Sequence, residues 1–62
     1  MTPPKKDCMG QDIDTVFIDG KTANGSWAYM TELTHSMIGV GLGIGKGQKY
    51  VKQPDGRWLK IG

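Results

Sequence analysis

A reactive centre in this chain would have to be assembled from His35, Cys8 and a handful of carboxylates, and the spacing does not assemble one. His35 is the one histidine and Cys8 the one cysteine of the 62 residues. The acid nearest to His35 in sequence is Glu32, one helical turn back, and no nucleophile is placed to complete a triad. His35 therefore reads as a helix-surface or capping residue. Asp12, Asp14 and Asp19 flank a strand without the spacing of a calcium loop, and read as solvated turn residues. Between Gly39 and Gly47 neither G-x-G-x-x-G nor G-x-x-x-x-G-K-[ST] can be read, so no nucleotide loop is indicated. The expectation is a protein that is not an enzyme and that carries no cofactor and no catalytic or metal-ligating set. What remains is binding chemistry in the C-terminal third, where Lys46, Lys49, Lys52, Arg57 and Lys60 are interleaved with Tyr50 and Trp58. Aromatic rings set among cations suit a single-stranded nucleic acid, since bases stack on the rings and phosphates meet the ammonium groups. The alternative for the same residues is a Trp packed on the core with lysine stems lying over it.

The elements that would position these residues can be read from pattern. Residues 1–11 hold Pro3, Pro4, two lysines and Gly10 without periodicity, and read as a flexible arm ahead of a single small domain at 12–62. Ile13 to Ile18 is β-branched and aromatic and is expected to be a strand. The turn-rich run Asp19 to Gly25 comes next, with Ser26 to Met30 as the returning strand. A longer helix beginning at Ser26 competes for that last segment, because Trp27 and Met30 extend the spacing of Leu33 and Met37 backwards. Thr31 to Ile38 places Leu33, Met37 and Ile38 on one helical face, with Thr31 as N-cap and Gly39 as a left-handed stop. From Gly39 to Gly47 every second residue is glycine; if extended, this run has one bare face and one apolar face, suited to close packing inside the protein or to admitting a ligand backbone. The last strands are expected to form a hairpin around Pro54-Asp55-Gly56. Pairing Gln53 with Arg57 puts Val51, Leu59 and Ile61 on a core face, and Tyr50, Lys52, Trp58 and Lys60 on the opposite one.

Size and composition bound the rest. A chain this short buries only about 60% of its unfolded surface, so its stability should be modest unless a disulfide, a metal or a partner contributes. One cysteine makes no internal disulfide, which favours a reducing compartment and a cytoplasmic location. The N-terminus has no apolar signal segment, and Met37 to Ile44 is too short and Gly-rich to cross a membrane. Charge is uneven: residues 1–38 carry three basic and five acidic side chains, residues 39–62 five basic and one acidic. A basic C-terminal part suits nucleic acid or an acidic protein surface, or is simply a solvated face.

The run Gly25-Ser-Trp-Ala-Tyr-Met-Thr-Glu-Leu-Thr-His35, followed by Gly39-Val-Gly-Leu-Gly-Ile-Gly-Lys-Gly-Gln-Lys-Tyr50, resembles a family of small proteins of unassigned activity found mostly in phages and prophages. The resemblance spans about residues 13–61. The family pattern reads Met-Cys-x-x-Cys-His after the Trp-Ala pair, with a first Cys-x-x-Cys ahead of the initial strand, a set that binds structural zinc. Here Thr31 and Thr34 stand at the second pair, Lys5 stands at one position of the first, and Cys8 alone remains. The elements read above make a small α+β fold of two β-hairpins and one short helix, and the resemblance implies that it is treble-clef-like or zinc-ribbon-like, without bound zinc. With the charge pattern, it gives three expected roles: a phage-type nucleic-acid-binding module, a phage-encoded modulator of a host protein, or a structural homo-oligomer.

Overall fold

The computed structural model describes residues 3–62. Four strands and one helix succeed one another as β1 (Val16–Lys21), β2 (Trp27–Met30), α1 (Glu32–Ile38), β3 (Gly47–Lys52) and β4 (Trp58–Lys60). All strand pairs are antiparallel, in a single open sheet of order β2-β1-β3-β4. This is a small α+β architecture, as expected.

The first strand begins later and runs further than the β-branched pattern indicated. Asp19, Gly20 and Lys21, expected in the turn, pair with Tyr29, Ala28 and Trp27 of β2. The reason is tertiary. Gly20 also lies opposite Gly47 of β3, and a Cβ on Gly20 would stand 2.9 Å from the Lys46 carbonyl oxygen. Only glycine lets β3 approach there, so a residue of poor strand propensity becomes the point of closest contact. The reversal itself is confined to residues 22–26, where the Thr22 hydroxyl, the Asn24 carboxamide and the Ser26 backbone bond to one another. Residues 27–30 are a strand, which excludes the longer helix.

Helix α1 is capped by Thr31, whose hydroxyl accepts the Thr34 amide at 3.2 Å. Gly39 ends the helix, but with extended backbone (φ −78°, ψ 156°) rather than the expected left-handed stop. Glycine here leaves room for the His35 imidazole, which lies over its Cα; a side chain would force the ring aside. The helical face also differs from expectation. Thr34 is fully buried, whereas Leu33 and Met37 are each 59% exposed. This short helix is oriented by the hydrogen bonds that hold Thr31 to Asp7, and not by its apolar stripe.

The segment Gly39–Gly47 is a loop, not an extended strand. Gly41, Gly43 and Gly45 have φ of 120°, 116° and 78°, and the Gly43 and Gly47 backbones exchange hydrogen bonds to close it. At the other end of β3 the expected register holds: Tyr50 pairs with Lys60, Val51 with Leu59 and Lys52 with Trp58. The Gln53 amide donates to the Arg57 carbonyl, and Gly56 (φ 89°) completes the turn.

The core is divided by the sheet. On the side covered by α1, Ile18 and Met30 face each other across β1 and β2, both buried. On the opposite side Phe17 is completely buried among aromatic rings. The hairpin face expected to be core, Val51, Leu59 and Ile61, lies on the helix side beyond the reach of α1, which packs on β1 and β2; Leu59 and Ile61 stay more than half exposed.

Candidate nucleic-acid interface

Strand alternation places Phe17, Asp19 and Lys21 of β1 on the sheet face away from α1, with Trp27 and Tyr29 of β2, Gln48, Tyr50 and Lys52 of β3, and Trp58 and Lys60 of β4. Phe17 is the centre of this face. The Tyr50 ring stacks on it with centroids 4.9 Å apart and planes 12° from parallel. Trp58 meets it edge-on at 4.9 Å and 72°, and Tyr29 is tilted against it at 5.7 Å and 57°. These are the offset and edge geometries that aromatic quadrupoles favour. The result is an aromatic stripe crossing all four strands. Its base, Phe17, is inaccessible, while Tyr50 and Trp58 are half-buried and Tyr29 and Trp27 are exposed. Lys21, Lys52 and Lys60 rise from the same face.

Of the residues singled out from sequence, Tyr50, Lys52, Trp58 and Lys60 are brought together here as the hairpin register required. Arg57 borders them, its Nε donating to Asp55 Oδ2 at 2.8 Å in an exposed ion pair, so its charge is already shared. The Arg57 backbone and side-chain N–H groups hold the Asp55 carboxyl below its ordinary range. Lys49 is on the other side of the sheet, where its ammonium donates to Glu32 of α1 at 2.7 Å. Lys46 lies along the glycine loop, its stem close to Gly41. Neither joins the aromatic stripe. Phe17, Lys21, Trp27 and Tyr29 were missed, although the period-two alternation of residues 17, 19 and 21 carried the signal. They stayed hidden because the β1–β3 pairing that sets them beside Tyr50 is non-local.

Residues 1 and 2 of the expected arm lie outside the described residues; residues 5–13 are hydrogen-bonded to one another and, through Cys8, to Tyr29 of β2. Residues Lys6 and Asp12 bridge, and the chain between them wraps around the Asp7 carboxylate. Oδ1 of Asp7 accepts the amides of Met9 and Gln11, both at 2.9 Å. Oδ2 accepts the Thr31 amide and the Thr31 hydroxyl, also at 2.9 Å, 24 residues away at the helix N-terminus. The Thr34 hydroxyl lies 3.2 Å from that of Thr31. Burial opposes ionisation of Asp7, but the hydrogen bonds from Thr34, Thr31 and Gln11 outweigh it and hold the carboxyl far below its usual range. Thr31 and Thr34 are thus consumed in a hydrogen-bonded node. Cys8 is exposed beside it, its amide donating to the Tyr29 carbonyl. Among the described residues no group of three or more His, Cys, Asp or Glu could hold a metal ion. His35 is also committed, with Nε2 3.0 Å from the Gly41 carbonyl oxygen.

Compared with known proteins, the chain matches no family model, no curated protein and no solved structure. Among the described residues no helix is long and apolar enough to cross a membrane.

Proposed function

We propose that the chain is a small phage-type binding module, not an enzyme, whose open aromatic face receives a single-stranded nucleic acid. The observation that carries this is the stripe of Tyr29, Tyr50 and Trp58 around buried Phe17 on the sheet face opposite α1, with Lys21, Lys52 and Lys60 rising from it. Bases would stack on the outer surfaces of Trp58, Tyr29 and Trp27, and the lysines would meet phosphates. Stacking and phosphate contact do not depend on base identity, so the proposed recognition is of single strands with little sequence preference. The phage-type assignment rests on the sequence resemblance alone.

The test is a titration of intrinsic Trp fluorescence with short oligonucleotides. Quenching should saturate, and the logarithm of affinity should fall with the logarithm of salt concentration with a slope of about −2, for three phosphate contacts on a single strand. A flat salt dependence, or no quenching, would remove the reading.

A protein partner is the second reading. It is favoured by an open, mostly apolar groove of about 450 Å³ lined by Cys8, Met9, Ala23, Ala28 and Ile38 together with Thr22, Asn24 and Ser26, on the side of the sheet away from the stripe. A host protein that bound there would leave the aromatic face untouched, so Ala28→Lys would abolish its binding while nucleic-acid quenching persisted.

A further inference from the structure

Strand β4 ends the sheet with one edge unpaired. Toward β3, the Gln53 amide donates to the Arg57 carbonyl and the Ile61 amide to the Lys49 carbonyl, so the odd-numbered residues of this strand turn their backbone groups inward. By alternation, the N–H and C=O groups of Trp58 and Lys60 point away from the sheet, where no described element of the chain pairs with them. On the helix side of the same strand, Leu59 and Ile61 are 52% and 55% exposed. An unpaired edge beside exposed aliphatic side chains is a template for another strand.

We propose that the occupant of this edge is β4 of a second copy, running antiparallel across a twofold axis at Leu59 and joining the two sheets into one of eight strands. The register is set by which groups are free. Trp58 lies opposite Lys60 of the partner subunit, and the reverse, giving four backbone hydrogen bonds, while the two Leu59 residues face each other in a pair without hydrogen bonds. This register is also the one the side chains favour. Each ammonium group meets an indole ring rather than the other ammonium, a cation–π arrangement, and Leu59 and Ile61 are covered on the helix side. The interface is smaller than the roughly 800 Å² a side of a standard complex, so the dimer dissociates on dilution. The pairing sets two Trp58 rings at the centre of a continuous aromatic face, yet it rests on the strand edge alone and does not require that nucleic acid bind.

Sedimentation velocity from about 10 μM to about 1 mM chain should show monomer giving way to dimer. Leu59→Lys, at an exposed position, should remain monomeric throughout with an unchanged circular dichroism spectrum. In a Cys8→Ser background, Leu59→Cys should form an interchain disulfide under mild oxidation, because directly opposed residues of a pair without hydrogen bonds lie within disulfide reach. Amide exchange at Trp58 and Lys60 should slow as concentration rises. A chain that stays monomeric over this range overturns the proposal. So does a dimer that survives Leu59→Lys and does not cross-link through residue 59, since that dimer uses another surface. Oligonucleotide titration of the monomeric Leu59→Lys variant reports on the aromatic face separately.

Discussion

Asp7 accepts four geometrically defined hydrogen bonds through two oxygens, and it ties the turn of the arm to the start of α1. Its folded carboxyl titrates well below the unfolded value of about 4, so the native state binds fewer protons than the unfolded chain in that region. The stabilisation from Asp7 is therefore fully present above the unfolded value of about 4 and is lost progressively as pH falls from there toward the much lower folded value. Acid unfolding monitored by circular dichroism should show this loss. Asp7→Asn should remove the loss and lower stability at neutral pH by about 2 to 3 kcal/mol, because a carboxamide cannot accept all of the amides and hydroxyls gathered there. If the Asp7→Asn variant kept the parent's denaturant midpoint, the node would not hold the arm. At Trp58, truncation to Ala should weaken single-strand binding by about 1 to 3 kcal/mol, read by titration with Trp27 as the remaining reporter. Trp58 also packs edge-on against Phe17, so some stability is lost as well; a melting curve separates the two effects.

At the level of elements, the contact between β1 and β3 is decided by two glycines. A Cβ on Gly47 would lie 2.9 Å from the Gly20 Cα, in backbone that has no freedom to withdraw. Gly47→Ala should destabilise the fold by about 2 to 3 kcal/mol through forced separation of the strands. Gly43→Ala meets open space and carries only the strain of a left-handed φ, on the order of 1 kcal/mol. Chemical denaturation of the two variants tests the difference, and equal losses would show that the close approach is not what matters. The same glycine run thus has two roles that its even spacing conceals: Gly39 and Gly47 admit neighbours, whereas Gly43 and Gly45 face open space and only shape the loop. The register of the C-terminal hairpin was legible because its determinants, Pro54, Asp55, Gly56 and the alternation on either side, are local, whereas the burial of its aliphatic face was not, since it depends on where α1 packs. The helix was legible in its extent and its cap, but not in its orientation.

At the scale of the whole molecule, the buried apolar core among the described residues is small, formed by Phe17, Ile18 and Met30, and it lies on two sides of one sheet. Cooperativity between these half-cores has to pass through the sheet. Chelation with EDTA is expected to leave the melting temperature unchanged, since a carboxylate and two threonines hydrogen-bond at the helix N-terminus; a fall in melting temperature would contradict that anchor. From sequence alone came the small α+β class, the hairpin register, the Thr31 cap and the grouping of Tyr50, Lys52, Trp58 and Lys60, all set by interactions within a few residues of one another. Tertiary structure alone decided that β1 lies between β2 and β3, that Phe17 and Tyr29 join the aromatic face, that Lys49 leaves it for Glu32, and that Asp7 closes the arm on the helix. Each of these depends on contacts between residues far apart in the chain. Such contacts leave no periodic trace in a single sequence, because their energy is realised only when the sheet is assembled.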